Sequence, residues 1–296
     1  MLHILLDLCG RFVYPWRMGT YSAPAKINLS LRVKGRREDG FHEVDTIMAK
    51  LDLADELHFH NSRTTTLLCD DPAMPTDEKN LVIKAIREFE KSYGRKAKQR
   101  ITLTKRIPQA AGLGGGSSDA AITLLAVNEI LGTQYDAEEL LAMAAAVGSD
   151  VAFFLNPVIS RCTGRGETVR PLTAFAEWTS PIVVLKPQFG VTTSRAYRAL
   201  AASRRLRDIP YDMQTVNGLR MSNDLEKPVF AKFPFLGLLK VWMLGRPGVK
   251  AALMSGSGSS MFALTETPEQ AQQLAQDALA EVDPTLFTHC GMVNPQ

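Results

Sequence analysis

The chain has 296 residues, of which 45% are hydrophobic and 22% are charged, and its formal net charge is +3. This composition predicts a globular protein with enough apolar residues for one large domain or two medium ones. The small net charge, without clusters of Lys and Arg interleaved with aromatic residues, argues against nucleic-acid binding. No apolar run approaches the roughly 20 residues that span a bilayer, so we predict no membrane association.

The four cysteines lie far apart and form no CxxC pair. This spacing suggests neither a zinc site nor a disulfide framework, and it favours a reducing cytoplasm. At the N-terminus, Asp7 interrupts a short apolar run and no Lys or Arg precedes it, which argues against a secretory signal. Met18 is an alternative start, and we interpret residues 1–17 as an N-terminal extension of unknown role.

The N-terminal half begins with a β pattern, because apolar residues alternate with polar or small ones from Ile27 to Val33. The turn-forming residues 36–40 then predict a hairpin. In chain order, the patterns predict strands over residues 27–33, 44–53 and 57–60, a helix over residues 80–93, and a strand over residues 101–107.

Residues 108–118, PQAAGLGGGSS, lie between that last strand and an amphipathic helix pattern. Glycine lets successive backbone N–H groups converge on an anion, and the N-terminus of the following helix adds unpaired N–H groups and a positive dipole end. We therefore predict that a phosphate group binds here. The predicted phosphate-binding residues are Pro108, Gln109, Ala110, Ala111, Gly112, Leu113, Gly114, Gly115, Gly116, Ser117 and Ser118.

Two common nucleotide-binding motifs do not fit this loop. A Walker A loop ends in Gly-Lys-Ser/Thr, whereas this loop ends in Gly116-Ser117-Ser118 without a lysine. A dinucleotide fingerprint needs G-x-G-x-x-G, and the third glycine is missing when the pattern is counted from Gly112. A glycine-rich connector without a ligand is the alternative that the loop alone leaves open.

The residues after the loop predict two helices and then a second α+β unit. A helix that starts at Ser117 or Ser118 ends at Gly132, and another covers residues 137–147. Asp150 is then placed as the N-cap of a third helical start. From residue 182 onward, the patterns predict strands over residues 182–185, 251–254 and 261–264 and helices over residues 194–203 and 268–281.

The glycine loop resembles the second motif of the GHMP kinase superfamily, and the segment MSGSGSS at residues 254–260 resembles another signature of that superfamily. Four further segments are similar to its 4-diphosphocytidyl-2-C-methyl-D-erythritol kinase branch. They are SAPAKINL at 22–29, REDGFH at 37–42, VGSDVAFF at 147–154 and MSNDLE at 221–226. Ala152 stands where proline is usual in this branch, and Phe41 where tyrosine is frequent.

The resemblance implies an α+β fold with the two-domain GHMP kinase architecture. An N-terminal ATP-binding domain over residues 18–176 and a C-terminal domain over residues 177–296 are expected to enclose the active site between them. It also implies ATP and Mg²⁺ as cofactors, a small-molecule substrate and no obligate protein partner. The implied reaction is phosphorylation of the 2-hydroxyl of 4-diphosphocytidyl-2-C-methyl-D-erythritol, in non-mevalonate isoprenoid precursor synthesis.

The same resemblance implies roles for individual residues. Asp150 is expected to accept the proton of the substrate hydroxyl, while Lys26 holds that hydroxyl and balances the developing charge. A helix start and a neighbouring lysine both favour an ionised carboxylate, which is consistent with this role for Asp150. The residues implied at the substrate are Phe41, His42 and Tyr197 around the cytosine, and Asn28 and Thr193 at the diphosphate and erythritol.

Some alternatives stay open at this point. Ser118 is implied as an oxygen donor near Mg²⁺, and an N-cap role for Ser117 or Ser118 is compatible with it. Lys105 either reaches a phosphate or ribose or is a solvated strand residue. A homoserine or mevalonate kinase is not expected to carry the DGFH turn, and a nucleotide-binding module without catalysis is expected to lack Lys26 or Asp150, which are both present.

Overall fold

The computed structural model describes residues 5–6, 12–13, 19–200 and 202–295, so most of the predicted extension, residues 1–17, lies outside the described residues. In chain order the strands are β1 (Leu5–Leu6), β2 (Phe12–Val13), β3 (Thr20–Arg36), β4 (His42–Asn61), β5 (Thr66–Cys69), β6 (Gln99–Thr104), β7 (Ser160–Gly164), β8 (Thr168–Pro171), β9 (Ser180–Lys186), β10 (Gln214–Val216), β11 (Leu219–Asn223), β12 (Val249–Met254), β13 (Met261–Thr265) and β14 (Phe287–Val293). The helices are α1 (Leu81–Tyr93), α2 (Gly115–Leu131), α3 (Ala137–Val147), α4 (Val151–Phe154), α5 (Thr193–Ala199), α6 (Glu226–Lys232), α7 (Pro234–Leu244) and α8 (Pro268–Glu281).

Within the described residues, twelve strands form one sheet, and the long strand β4 is its centre. β4 pairs antiparallel with β3 along most of its length. Its other edge pairs with β7, β14 and β6 in succession. The C-terminal strands continue the sheet in the order β14–β9–β13–β12. One sheet therefore carries strands from both halves of the chain.

The prediction of two strands over residues 44–53 and 57–60 is wrong, because β4 runs through both without a break. Asp55 interrupts the apolar pattern in the sequence. In the structure its carboxylate is fully buried and accepts the backbone N–H groups of Arg106 at 2.6 Å and Ile107 at 2.8 Å. Since these bonds replace the water that a buried carboxylate would otherwise need, the strand continues through an acidic position.

Local capping explains where several helices begin and end. The Asn80 side chain accepts the Val82 N–H at the start of α1, and Asp136 anchors a capping box at the start of α3, which has the predicted bounds. Gly132 ends α2 in the left-handed conformation, as predicted. α2 begins at Gly115, earlier than predicted, so the last glycines of the loop already form the first turn of the helix.

The helices cover the sheet in two groups. α1 to α4 pack on β3, β4 and β6 around a buried cluster that includes Phe89 and Phe153. α6 to α8 pack on β9, β12 and β13 around another that includes Phe230. A third cluster consists of strand and loop residues from both halves of the chain, such as Ile27 of β3 and Ile182 of β9. Among the described residues no helix is long and apolar enough to cross a membrane.

The predicted C-terminal elements are present, with differences in length. α8 has the predicted bounds, whereas α5 ends at Ala199 and not at residue 203. α6 and α7 were not predicted. α7 is apolar on most of its surface, so its sequence lacks the amphipathic period by which a helix is detected.

The short helix α4 is attached to the sheet by a lysine. Lys50 of β4 donates from Nζ to the carbonyl oxygen of Phe154, at the C-terminal end of α4, at 3.0 Å. Burial lowers the pKa of Lys50 to about 7. Because Asp150 lies at the other end of the same helix, this contact also fixes the position of a predicted site residue.

Stability is expected to depend on Lys50 between about pH 7 and pH 10.5, the folded and the ordinary pKa. In this window the unfolded chain keeps the Lys50 proton and the folded protein has lost it, so raising the pH favours folding. Relative to Lys50→Met, the wild type should gain up to about 1.4 kcal/mol of unfolding free energy per pH unit, as measured by urea denaturation. Lys84→Met, at an exposed position of α1, is the control for removing a lysine. A pH-independent difference between wild type and Lys50→Met would show that Lys50 stays charged in the folded protein.

Candidate active site

A cavity of about 980 Å³ lies between the β6–α2 loop, the β12–β13 connection, the β3–β4 turn and the start of α4. Every predicted site residue except Ser118 lines it. These residues are Lys26, Asn28, Phe41, His42, Asp150, Thr193, Tyr197 and residues 108–117. Segments far apart in the sequence are thus brought to one place by the fold.

The phosphate-binding loop, residues 108–118, packs tightly against its neighbours. Gly112 has φ +74°, and a Cβ added to it would lie 2.1 Å from the carbonyl oxygen of Ser255. Gly114 has φ +71°, and a Cβ there would lie 2.9 Å from both Lys26 Cγ and Phe154 Cζ. Left-handed backbone and missing space both require glycine at these two positions. The loop therefore needs glycine for its packing as well as for the approach of an anion.

A second loop, residues 255–260, is hydrogen-bonded to the first. The Ser255 hydroxyl donates to the Gly112 carbonyl oxygen at 2.9 Å, and the Ser260 N–H donates to the Ala111 carbonyl oxygen at 3.1 Å. The Thr193 and Ser257 hydroxyls are 3.0 Å apart, which ties the start of α5 to the same loop. The two glycine-rich motifs of the sequence thus form one hydrogen-bonded unit.

Lys26 lies at the centre of this unit and is only 3% exposed. Its Nζ donates to Asn28 Oδ1 at 2.5 Å and to the Gly112 carbonyl oxygen at 3.0 Å. The Asn28 amide in turn donates to Thr46 Oγ1 at 2.7 Å, so its orientation is fixed from the neighbouring strand. A buried ammonium with these acceptors is a positive charge held in one place at the wall of the cavity.

Asp150 faces Lys26, with Oδ2 at 3.6 Å from Nζ, and its side chain is 36% exposed. It occupies the N-cap position of α4, as predicted, but within the described residues its carboxylate makes no capping hydrogen bond. Burial raises the pKa of Tyr197, and the charge of Asp150 adds to that shift. Asp150 therefore presents an accessible carboxylate to the cavity, next to a fixed cation.

The aromatic residues Phe41 and Tyr197, implied to sandwich the cytosine, both line the cavity. The ring next to Tyr197 is that of His42, with centroids 5.0 Å apart and planes 31° apart. Phe41 is 52% exposed, and the guanidinium carbon of Arg165 lies 5.1 Å from its ring centroid. The cavity thus has an aromatic end in which one face of Phe41 is already covered by a cation.

Lys105 proves to be neither a solvated strand residue nor a free cation. Its Nζ is hydrogen-bonded to the buried carboxylates of Asp55 and, at 2.9 Å, of Asp119 on α2. Burial raises the pKa of Asp119 to about 7, and the nearby Asp55 adds to the shift against the opposing effect of Lys105. This triad connects the end of β6 to the first turns of α2, beneath the phosphate-binding loop.

Sequence reasoning did not identify several residues around the cavity. Leu81 lies beside the loop, since a Cβ on Gly116 would be 3.6 Å from its Cδ1, and Met74 lines the same cavity. Three arginines, Arg36, Arg165 and Arg198, also line it. An isolated arginine or leucine carries no motif, so only the fold could reveal them.

The NDLE segment supports the second loop from behind. The Asn223 amide donates to the carbonyl oxygens of Met254 and Gly256 at 2.7 and 2.8 Å. Glu226 accepts the Met254 N–H at 2.9 Å and the ammonium of Lys240 at 2.6 Å, in a fully buried ion pair. In the structure, the NDLE segment therefore positions the backbone at the start of the second loop.

The first turns of α2 hold two buried oxygen atoms without a hydrogen-bond partner in the described part of the chain, although neither Ser118 nor Asp119 lines the cavity. Ser118 Oγ and Asp119 Oδ1 are buried and have no hydrogen-bond partner among the residues that the structure describes. Mg²⁺ prefers such oxygen ligands. The described residues contain no cluster of three or more His, Cys, Asp or Glu side chains able to hold a metal, so nucleotide phosphates would have to supply its other ligands.

Two family models match the chain. The model of the GHMP kinase N-terminal domain matches residues 80–156, which include the phosphate-binding loop and Asp150. The model of the GHMP kinase C-terminal domain matches residues 211–283, which include the second loop. Fold and site therefore define a GHMP kinase, an enzyme that uses ATP, and the predicted two-domain α+β architecture is confirmed. The domain boundary at residues 176 and 177 stays a prediction.

Similarity to individual proteins is more specific. The 4-diphosphocytidyl-2-C-methyl-D-erythritol kinase of Protochlamydia amoebophila is 41% identical over 242 residues, 82% of this chain and 83% of that protein. The enzyme of the same name from Methylacidiphilum infernorum is 40% identical over 276 residues, 88% and 92% of the two chains. A crystal structure of 4-(cytidine 5'-diphospho)-2C-methyl-D-erythritol kinase has a TM-score of 0.76 and 36% identity, over 94% of this chain and all of that one. The chain belongs to the 4-diphosphocytidyl-2-C-methyl-D-erythritol kinase family.

The fold itself is shared more widely. A homoserine kinase structure from Cytophaga hutchinsonii has a TM-score of 0.69 with 21% identity, over 95% of this chain and 96% of that one. This likeness concerns the fold alone.

Replacing Gly112 tests how tightly the two loops are joined. Gly112→Ala should destabilise the protein by about 1 kcal/mol through its positive φ and by about 1–3 kcal/mol more through the clash with Ser255. It should also weaken nucleotide binding, because the loop has to move. Chemical denaturation and calorimetric titration with ATP measure the two effects.

Gly132→Ala is the matched control for Gly112→Ala. Gly132 also has a positive φ, +60°, but a Cβ there would meet no atom of the described residues within 4 Å. It should cost about 1 kcal/mol and leave nucleotide binding unchanged. Equal effects of the two substitutions on both measurements would contradict the packing described for Gly112.

Proposed function

We propose that the protein transfers the γ-phosphoryl group of ATP to the 2-hydroxyl of 4-diphosphocytidyl-2-C-methyl-D-erythritol, giving the 2-phosphate and ADP. The observation that carries the proposal is the meeting of Lys26 and Asp150 in the cavity that also holds a phosphate-binding loop and the Phe41–His42 turn. The names of the similar enzymes support the same substrate. The reaction belongs to the non-mevalonate route to isoprenoid precursors, and the cytoplasm remains its predicted location.

The nucleotide binds along the phosphate-binding loop. Backbone N–H groups of the loop and the N-terminus of α2 offer hydrogen bonds and a positive potential to its phosphates. Leu81, beside Gly116, provides apolar surface for the nucleoside. Magnesium bound with ATP would neutralise phosphate charge. Ser118 would supply an oxygen ligand, since its hydroxyl has no hydrogen-bond partner among the described residues, but this buried hydroxyl would first have to turn toward the cavity.

Asp150 and Lys26 have different roles at the acceptor hydroxyl. The carboxylate of Asp150, which no capping bond engages among the described residues, orients the hydroxyl and accepts its proton. The ammonium of Lys26 balances the negative charge that develops on the attacking oxygen and on the transferring group. Phosphoryl transfer depends mainly on such positioning and charge neutralisation.

The cytidine end of the substrate binds at the aromatic end of the cavity. Phe41 offers an exposed ring for stacking with the cytosine, and His42, next to Tyr197, offers a hydrogen bond to the base edge. Asn28 and Thr193 contact the polar erythritol and diphosphate parts. The substrate then extends from this end to Asp150.

A comparison of acceptors tests the proposal. Purified protein is given ATP and Mg²⁺ with 4-diphosphocytidyl-2-C-methyl-D-erythritol, mevalonate or homoserine, and ADP release is followed. The expected result is the highest kcat/KM with the cytidyl compound. Preference for mevalonate or homoserine would contradict the proposed substrate, and no turnover of any acceptor would favour a nucleotide-binding module.

Asp150→Asn tests the proposed proton acceptor. Since the amide cannot accept the proton, kcat should fall by about 10²- to 10⁴-fold while ATP affinity changes little. Asp136→Asn is the control, because Asp136 makes a capping bond at the start of α3 and lies outside the cavity lining. It should leave kcat unchanged. A parallel loss of ATP binding in Asp150→Asn would show that Asp150 has a structural role.

A further inference from the structure

The turn between β7 and β8 carries an arginine into the cavity. Arg165 lines the cavity, and its guanidinium lies 5.1 Å from the Phe41 ring centroid. The backbone N–H of Arg165 donates to Glu167 Oε2 at 2.6 Å, and its Nε lies 3.6 Å from Glu167 Oε1. These contacts fix the stem of the side chain, while its terminal nitrogens have no hydrogen-bond partner within the described residues.

The same turn touches both functional ends of the cavity. On one side, the Gly164 N–H donates at 3.1 Å to Oε1 of Glu43, which follows His42 in the chain. On the other side, a Cβ on Gly166 would lie 3.5 Å from Asp150 Oδ1. Arg165 stands between these two contacts. A ligand that reaches from the aromatic end to Asp150 therefore passes this arginine.

With its cytosine at Phe41 and its acceptor hydroxyl at Asp150, as proposed above, a cytidine diphosphate-linked substrate would have its diphosphate in that interval. A diphosphate carries negative charge and needs donors when water is removed, and guanidinium binds phosphate oxygens through two parallel N–H bonds. Lys26 does not meet this need, because its ammonium is already bound to Asn28 and Gly112 and faces Asp150. Among the three arginines that line the cavity in the described part of the chain, Arg165 is the one on the turn that contacts both Glu43, which follows His42, and Asp150.

We propose that Arg165 binds the diphosphate group of the acceptor substrate and so determines specificity for a nucleoside diphosphate-linked alcohol. This inference rests on the proposed function. Arg165 acts on acceptor binding, and the phosphate-binding loop acts on ATP. Loss of the arginine should therefore weaken binding of the acceptor substrate and leave ATP binding unchanged.

Competition by fragments of the substrate tests this role. The wild type should bind CDP more tightly than cytidine, as measured by inhibition against 4-diphosphocytidyl-2-C-methyl-D-erythritol. In Arg165→Gln, KM for that substrate should rise about 10- to 100-fold, the size of a lost charge-assisted hydrogen bond, with KM for ATP unchanged. The preference for CDP over cytidine should shrink by a similar factor. Arg165→Lys should restore part of both.

Arg170→Gln is the matched control, since Arg170 is exposed on the same hairpin and lies outside the cavity lining. It should behave as the wild type. Equal weakening of cytidine and CDP in Arg165→Gln would overturn the inference, because the arginine would then act through the Phe41 ring alone. A wild-type enzyme that turns over the substrate, with CDP preference retained in Arg165→Gln, would overturn it while leaving the proposed function intact. A wild-type protein that neither turns over the cytidyl substrate nor binds CDP would overturn both.

Discussion

The burial of the Lys26 ammonium is the constraint on which the site depends. A buried charge is stable only when hydrogen bonds and an opposite charge compensate it. Here the compensating groups are Asn28, the Gly112 carbonyl and, at 3.6 Å, Asp150. The Gly112 carbonyl also accepts the Ser255 hydroxyl. Satisfying one cation thus fixes β3, both glycine-rich loops and the start of α4 relative to one another.

This arrangement gives a second reason why the phosphate-binding loop contains glycine. A glycine-rich loop before a helix predicts close approach of an anion to the backbone. Yet a side chain on Gly114 would collide with Lys26 and Phe154, and one on Gly112 would collide with Ser255. Both glycines are therefore already required by the protein's own packing. The second loop is supported in turn, because the Asn223 amide binds the Gly256 carbonyl oxygen and Glu226 accepts the N–H of Met254, the residue just before the loop.

Local signals in the sequence predicted the local parts of this structure well. The helix at residues 137–147 has an aspartate cap, and the glycine at 132 ends its helix as expected. The failures lie where a distant partner decides the structure. Asp55 lies inside a strand because Lys105 and two backbone N–H groups satisfy it from some 50 residues away. Two ring contacts also had no signal in the sequence: the ring next to Tyr197 is that of His42, and the guanidinium over Phe41 comes from another hairpin. Sequence patterns carry no information on such pairings.

Asp150 lies at the start of a helix, but its carboxylate is not used to cap that helix. An aspartate before an apolar turn predicts a helix N-cap, and the helix does start there. A carboxylate engaged with its own helix would have fewer lone pairs free for a substrate hydroxyl. In this protein α4 is held by other means, since Phe153 and Phe154 are fully buried and Lys50 binds the carbonyl oxygen of Phe154. Because the helix does not need its cap, the carboxylate can face Lys26 and the cavity, where the proposed chemistry requires it.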